Sequence, residues 1–325
     1  MRINNFFNIH NNIDFSKIAL EIFKFQANNC SVYKQFLSLL NVDIHKVKTI
    51  NQIPFLPIQF FKSHKILSSK NEIKETFLSS GTTGNTQSKH YVTDISIYEE
   101  SFSLGFEKFY GSIENYTVLA LLPSYLERNG SSLIYMANYF IEKSKKSKSG
   151  FYINNLDELR ENLIELDKNN EKVLLIGVSF SLLDLVESNS FKLKNTVIME
   201  TGGMKGRRKE LIRDELHRIL KEGFGVDTIH SEYGMTELLS QAYSKGNGIF
   251  KCPPWMKILT RDTEDALTIL PNGKSGGINV IDLANINSCS FIATQDLGKT
   301  YADGTFEVLG RFDDSDIRGC NLMVL

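Results

Sequence analysis

Four short apolar runs, each followed by a polar or glycine-rich loop, limit the folds that this chain of 325 residues can adopt. They occupy residues 117–122, 173–177, 196–200 and 226–229. Continuous apolar runs of this length are typical of strands that are buried on both faces. Because segments with helical periodicity, such as 157–166 and 206–220, lie between them, the sequence predicts an α/β fold with layered sheets and flanking helices.

The regions on either side of this alternation have different patterns. Apolar residues recur at helical spacing between residues 15 and 40, which predicts a helical segment at 1–75 that packs on the core. Beyond residue 250 the apolar runs shorten, and turns are indicated at 271–273 and 303–304. We therefore expect an α/β core at 76–250, followed by a small antiparallel β lobe and the C-terminal tail at 251–325.

Composition excludes several functional classes. The 37 Lys and Arg residues nearly balance the 38 Asp and Glu residues, so a nucleic-acid partner is not expected. No stretch has the roughly 20 consecutive apolar residues that a membrane span needs, and the N-terminus has no signal-peptide pattern. We expect a cytoplasmic protein whose four cysteines, far apart in the sequence, are free thiols.

The strongest chemical signal is a loop that follows an extended segment at 75–78. It consists of Ser79, Ser80, Gly81, Thr82, Thr83 and Gly84, and a polar stretch continues to Lys89. Glycines let backbone amides approach an anion, and the hydroxyl groups add further donors. An ordinary hydroxyl-rich turn is the alternative for a generic loop of this composition, but the complete hexapeptide favours phosphate binding.

A second group of candidates, residues 231–237, follows the predicted strand at 226–229. Tyr233 offers a ring on which a purine can stack, and Glu237 offers a hard oxygen ligand for Mg²⁺. Thr236 can donate a hydrogen bond to a phosphate oxygen. A tyrosine alone is more often a core residue and a glutamate a surface charge, but their combination around Gly234 favours a ligand site.

Two further signals are weaker when taken alone. Gly202 and Gly203 follow another predicted strand, and ligands of open α/β sheets bind beyond the carboxyl ends of strands. Near the C-terminus, Asp296 can accept hydrogen bonds from ribose hydroxyls and Arg311 can donate to ribose or phosphate. Asp296 and Arg311 could equally form a structural ion pair.

These motifs, in this order, resemble the adenylate-forming superfamily of acyl-CoA synthetases, adenylation domains and luciferases. The stretches 122–128, 230–244 and 318–323 are more closely similar to the LuxE-type acyl-protein synthetases. The resemblance implies the fold of the large N-terminal domain of those enzymes. It also implies ATP- and Mg²⁺-dependent conversion of a carboxylic acid, most simply a fatty acid, to acyl-AMP, followed by transfer to a protein cysteine.

The resemblance also assigns roles to the candidate residues. The loop from Ser79 to Gly84 would hold the ATP phosphates, Thr236 would contact phosphate, and Glu237 would bind Mg²⁺. Gly202 and Gly203 would border the adenine, and Tyr233 would stack on it. Asp296 would hold the ribose, and Arg311 would close the pocket.

The chain also departs from the superfamily pattern. Ser231, Ile292 and Gln295 stand where asparagine, tyrosine and glycine are usual, and the stretch 310–319 lacks a lysine. The sequence ends close to where a mobile C-terminal domain normally begins. We expect Lys89 or a partner protein to supply the missing positive charge.

Cys320 is the candidate acyl acceptor within the chain, since it follows Arg318 on a short tail and nearby cations favour the nucleophilic thiolate. A small buried apolar role for this cysteine is the alternative. The expected partner is a protein acyl acceptor, a reductase or a carrier. Direct transfer to coenzyme A or phosphopantetheine, a non-catalytic nucleotide-binding scaffold and an unrelated α/β transferase remain open alternatives.

Overall fold

A computed structural model describes residues 6–80, 86–122, 130–153, 155–202 and 211–312. The chain forms two compact units, which we call the core unit (Ile73–Pro253) and the terminal unit (Met1–Glu72 with Pro254–Leu325). No helix within the described ranges is both long and apolar enough to cross a bilayer.

The helices in the described ranges are α1 (Asn12–Asn29), α2 (Ser31–Leu39), α3 (Phe60–Ser63), α4 (Ile95–Tyr110), α5 (Ser132–Ser144), α6 (Leu156–Lys168), α7 (Ser179–Glu187) and α8 (Arg213–Phe224), with short 3₁₀ helices at Ile50–Gln52, Ile113–Asn115 and Leu283–Asn287. The strands are β1 (Leu56–Pro57), β2 (Glu75–Leu78), β3 (Lys89–Val92), β4 (Thr117–Leu121), β5 (Gly150–Phe151), β6 (Val173–Val178), β7 (Thr196–Thr201), β8 (His230–Tyr233), β9 (Ala242–Ser244), β10 (Ile249–Lys251), β11 (Met256–Arg261), β12 (Ser275–Asp282), β13 (Phe291–Thr300) and β14 (Phe306–Arg311).

The core unit contains a sheet with the strand order β5-β4-β6-β7-β8-β9-β10. Strands β5 to β8 pair in parallel, whereas β9 and β10 are antiparallel additions. Every residue of β4 and β6 is buried, because helix α5 packs on β4 and helices α6 and α7 pack on β6. A separate hairpin joins β2 and β3. The predicted α/β class with flanking helices is confirmed.

The predicted strand at 226–229 is wrong in position, because β8 begins only at His230. The preceding residues serve the end of α8 instead. Gly225 adopts a left-handed conformation with φ of 66°, and the amides of Gly225 and Val226 both donate to the carbonyl oxygen of Lys221. Helix α8 also begins at Arg213, later than the predicted residue 206, and residues 203–210 lie outside the described ranges.

The terminal unit contains the antiparallel strands β11 to β14, in sequence order, so the predicted C-terminal β lobe is confirmed. Strand β1 pairs in parallel with the first half of β13. Helix α1 is anchored by the buried side chain of Gln26, whose amide nitrogen donates to the carbonyl oxygen of Asn285 over 2.9 Å and whose oxygen accepts from the Ser290 amide over 2.9 Å. These bonds hold the N-terminal helix against the segment that leads into β13.

Candidate active site

The predicted phosphate loop is carried by the β2–β3 hairpin and is closed at its base. The Ser79 amide donates to the Ser88 carbonyl oxygen over 3.1 Å, and the Ser88 amide donates to the Ser79 hydroxyl oxygen over 2.9 Å. Ser80 is exposed, and so is Lys89, which begins β3. Gly81, Thr82, Thr83 and Gly84 lie outside the described residues. The hairpin therefore fixes both ends of the loop.

Gly202 follows β7, and Gly203 lies outside the described residues. The carbonyl oxygen of Gly202 accepts a hydrogen bond of 2.7 Å from the buried hydroxyl of Ser179, at the start of α7. That hydroxyl is also 3.1 Å from a carboxylate oxygen of Glu200, whose other oxygen is 3.6 Å from Nε2 of His217. A buried polar chain thus positions the backbone at this strand end.

The second motif begins within β8 and continues into a turn. Tyr233 is the last residue of the strand, and its buried ring meets the ring of Phe250 edge-on at 6.0 Å. The amide of Leu238 closes the turn by donating to the carbonyl oxygen of Met235 over 3.0 Å. Glu237 lies in this turn and is 5% exposed. The strand end and the turn therefore hold the predicted adenine, phosphate and magnesium residues in one short segment.

The structure also tests whether these residues fit a nucleotide and a metal ion. The Ser231 hydroxyl is fully buried in β8 and has no hydrogen-bond partner among the described residues, so a polar group of a ligand would satisfy it. The described ranges contain no group of three or more His, Cys, Asp or Glu side chains that could hold a metal alone. Mg²⁺ at nucleotide sites is usually held by one or two carboxylates together with phosphate oxygens. Glu237 fits Mg²⁺ only in that way.

Glu232 is a site-adjacent residue that the sequence did not single out. It pairs with Thr201 across the parallel strands β7 and β8, and its carboxylate accepts a hydrogen bond of 2.5 Å from the Thr201 hydroxyl. Burial, aided by the nearby Glu200 carboxylate, raises the pKa of Glu232 to about 7, although the Thr201 bond opposes that shift. A partly buried carboxyl group therefore joins the ends of the two strands that lead to Gly202 and Tyr233.

His90 is a second residue without an assigned role. It is 1% exposed, and its Nδ1 atom lies 2.9 Å from the carbonyl oxygen of Thr236. Burial lowers the pKa of His90 to about 4, so the ring is neutral near pH 7. Because alternate residues of a strand face opposite sides, the exposed Lys89 in β3 was the available signal that its neighbour is buried.

In the terminal unit, Asp296 and Arg311 are register partners on β13 and β14. An oxygen of the Asp296 carboxylate lies 3.3 Å from Nε of Arg311, whose side chain is 74% exposed. The two residues therefore form an ion pair, which is the structural role that the sequence left open. Because the guanidinium is exposed, contact with ribose or phosphate stays a prediction.

Cys320, the candidate acyl acceptor, lies outside the described residues. Among the described cysteines, Cys30 and Cys289 are fully buried, and burial raises the pKa of the Cys289 thiol. Cys252 is partly buried. Cys30 and Cys289 are therefore poorly suited to act as nucleophiles.

The family model for the acyl-protein synthetase LuxE matches residues 10–325. This chain belongs to the LuxE acyl-protein synthetase family. It is 22% identical to the long-chain-fatty-acid–luciferin-component ligase of Vibrio harveyi over 338 residues, which cover 94% of this chain and 86% of that ligase. The ligase of the same name from Aliivibrio fischeri matches with the same identity and coverage. The LuxE family assignment predicted from the sequence is confirmed, and with it the ligase class.

Solved structures with a similar fold include the ATP-bound protein MatB and a CoA ligase. The ATP-bound MatB from Rhodopseudomonas palustris superposes with a TM-score of 0.56 at 19% identity, over 75% of this LuxE family member and 49% of MatB. The chain thus spans about half the length of MatB. A 2-hydroxyisobutyryl-CoA ligase in complex with 2-HIB-AMP and CoA superposes with a TM-score of 0.64 at 11% identity, over 94% of this chain and 72% of that one. At these identities the comparison shows the fold alone, and it confirms the predicted likeness to the large domain of adenylate-forming enzymes.

Proposed function

We propose that this LuxE family member uses ATP to convert a long-chain fatty acid to acyl-AMP and then transfers the acyl group to a cysteine thiol. The fatty acid follows the names of the related ligases from Vibrio harveyi and Aliivibrio fischeri. The acceptor is Cys320 of the chain, a partner protein, or both in succession.

One observation carries the adenylation step. The loop between Ser79 and Ser88 is closed at its base by two hydrogen bonds, has Lys89 at its end and is joined through His90 to Thr236. A loop whose sequence is rich in glycine and hydroxyl groups suits phosphate oxygens, because backbone amides and hydroxyls can both donate to them. The closed base of the loop, together with the composition of residues 79–84, supports phosphate roles for the loop and for Thr236, with Lys89 adding a positive charge.

The reaction balances in two displacements. A carboxylate oxygen of the fatty acid attacks the α-phosphorus of ATP, the new O–P bond forms, and the bond to pyrophosphate breaks. A thiolate sulfur then attacks the acyl carbon, the C–S bond forms, and AMP leaves with the electron pair of the broken C–O bond. The thiol proton passes to solvent. Hydrogen-bond donors of the loop stabilise the negative charge that develops on the phosphate oxygens.

Magnesium, when bound, would neutralise charge on the leaving pyrophosphate. Glu237 is the proposed protein ligand, because it lies in the same turn as Thr236 and is largely buried. Tyr233, Gly234, Gly202 and Gly203 are the proposed adenine contacts, and Asp296 and Arg311 the proposed ribose contacts. The Ser231 hydroxyl, two residues before Tyr233 in β8 and without a hydrogen-bond partner among the described residues, supports a base-binding role for this end of the strand.

Two of the other cysteines support Cys320 as the acceptor within the chain. Cys30 and Cys289 are inaccessible to an acyl adenylate because both are fully buried. Cys252 is the matched comparison, since it is only partly buried.

The test is incubation of the purified protein with Mg-ATP and radiolabelled long-chain fatty acid, followed by assay of ATP–pyrophosphate exchange and of label released by neutral hydroxylamine. We expect exchange and a hydroxylamine-sensitive label. Cys320→Ser should retain exchange and lose the label, whereas Cys252→Ser should retain both. Label that persists in Cys320→Ser would remove this cysteine from the mechanism. Acyl-AMP without label would favour an outside thiol, including coenzyme A, and the absence of exchange and acyl-AMP would favour a non-catalytic nucleotide-binding subunit.

A further inference from the structure

The contact between His90 and Thr236 joins two segments that are 146 positions apart in the sequence. Because a carbonyl oxygen can only accept, His90 must carry a hydrogen on Nδ1 and donate it to Thr236. The neutral ring, kept so by burial, has this hydrogen only in one tautomer. The bond is therefore a directional restraint on the backbone of the turn.

His90 is held firmly on its own side of this contact. Strand β3 pairs with β2 in the register Phe77–His90 and Leu78–Lys89, directly beside the loop that begins at Ser79. The turn has a second restraint on its far side, since the Ser240 hydroxyl lies 3.0 Å from the Ser101 hydroxyl of α4. A shift of Thr236 would thus require the His90 bond to break.

We propose that His90 is a positioning residue for nucleotide binding, and that its bond to Thr236 sets the Thr236 hydroxyl and the Glu237 carboxylate against the phosphates of bound ATP. This inference rests on the proposed adenylation function. Residues that orient a metal ligand or a phosphate contact commonly change affinity or rate by about 10- to 100-fold when they are lost. We expect an effect of that order on the Mg²⁺-dependent part of ATP binding.

Three variants of His90 separate positioning from packing. In His90→Asn the side-chain amide can donate from near the position of Nδ1, whereas in His90→Gln an added methylene group moves the donor towards the position of Nε2. His90→Leu keeps bulk and removes the donor. Phe140→Leu is the matched control, because Phe140 is buried in α5 with its ring against Phe102 and Phe106 of α4, and its truncation is expected to lower stability.

The measurements are ATP affinity with and without Mg²⁺, kcat and KM for ATP in pyrophosphate exchange, and the free energy of unfolding in urea. We expect His90→Gln and His90→Leu to lose about tenfold or more of the Mg²⁺-dependent gain in ATP affinity and a similar factor in kcat, and His90→Asn to recover most of both. Phe140→Leu should lose stability only. If His90→Leu does not fold, the comparison of the two amide variants decides.

Two results with the variants overturn the inference: His90→Gln with values within twofold of the wild type, or His90→Asn as impaired as His90→Gln. The proposed function fails separately, when the wild-type protein catalyses no exchange with any fatty acid. In that case the binding measurement still decides the role of His90. A wild-type protein whose ATP affinity does not depend on Mg²⁺ would refute the positioning role as well.

Discussion

The Thr201 hydroxyl donates a hydrogen bond of 2.5 Å to the Glu232 carboxylate, and this bond joins the carboxyl ends of the parallel strands β7 and β8. Gly202 follows Thr201, and Tyr233 follows Glu232, so the bond lies between the two segments proposed to contact adenine. The Thr201 bond lowers the pKa of the Glu232 carboxyl group, whereas burial and the nearby Glu200 carboxylate both raise it. Its charge state therefore depends on pH near neutrality.

The pKa of Glu232 predicts how stability depends on pH. A carboxyl group whose folded-state pKa lies near 7, above its unfolded value of about 4.5, stabilises the fold below pH 4.5 and loses that contribution as pH rises to 7. Glu232→Gln removes this dependence, so its stability relative to wild type should increase between pH 5 and pH 8, by up to about 3 kcal/mol at about 1.4 kcal/mol per pKa unit. Urea unfolding of both proteins at the two pH values measures the difference. Parallel pH profiles would contradict the raised pKa of the Glu232 carboxyl group.

A side chain at Gly234 should force the Glu232 carboxylate to move, because a Cβ atom there would lie 2.3 Å from one of its oxygens. Gly234→Ala is expected to destabilise the protein by about 1–3 kcal/mol, as overpacking does. The loss should shrink in a Glu232→Ala background, since the clash is then removed. Gly150→Ala is the control, because no atom lies within 4 Å of its added Cβ. Additive losses in the double variant would show that Glu232 does not fill the space.

The sequence predicted much of this fold because the decisive elements are local. The β4, β6 and β7 strands are apolar runs whose burial on both faces explains their composition, and they lie within a residue of their predicted ends. The prediction placed strand β8 too early because Val226 is of a residue type common in strands. In the structure its amide caps helix α8. A local pattern does not show which of two neighbouring elements uses such an amide.

The motif residues could be found in the sequence, but the residues that hold them in place through hydrogen bonds could not. Tyr233 and Gly202 stand out by type and position, whereas the Thr201–Glu232 bond depends on the register of two strands about 30 residues apart. Ser179 supports Gly202 in the same way from another element. The roles of these polar residues follow from tertiary contacts, for which composition and periodicity carry no signal.

Ser179 is expected to matter for ATP binding through the backbone of Gly202. Ser179→Ala removes the donor that lies 2.7 Å from the Gly202 carbonyl oxygen, and a buried acceptor left unpaired costs about 1–3 kcal/mol. We expect a KM for ATP raised about fivefold or more with a smaller change in kcat. Ser181→Ala is the control from the same helix, since the Ser181 hydroxyl is buried and has no hydrogen-bond partner among the described residues. Equal KM values for the two variants would remove Ser179 from the support of the site.

A variant of the ion pair between Asp296 and Arg311 can distinguish a structural role of Asp296 from a ribose-binding role. Because the Arg311 side chain is 74% exposed, the pair should contribute less than about 1 kcal/mol to stability. Asp296→Asn should therefore change the unfolding midpoint in urea no more than Arg218→Ala, which breaks the exposed pair between Arg218 and Glu222. If Asp296 accepts from the ribose hydroxyls, the wild type should prefer ATP to 2′-deoxy-ATP in pyrophosphate exchange, and Asp296→Asn should lose most of that preference. A variant that keeps the full preference would assign Asp296 to the ion pair alone, and a large loss of stability would show that the pair is structural.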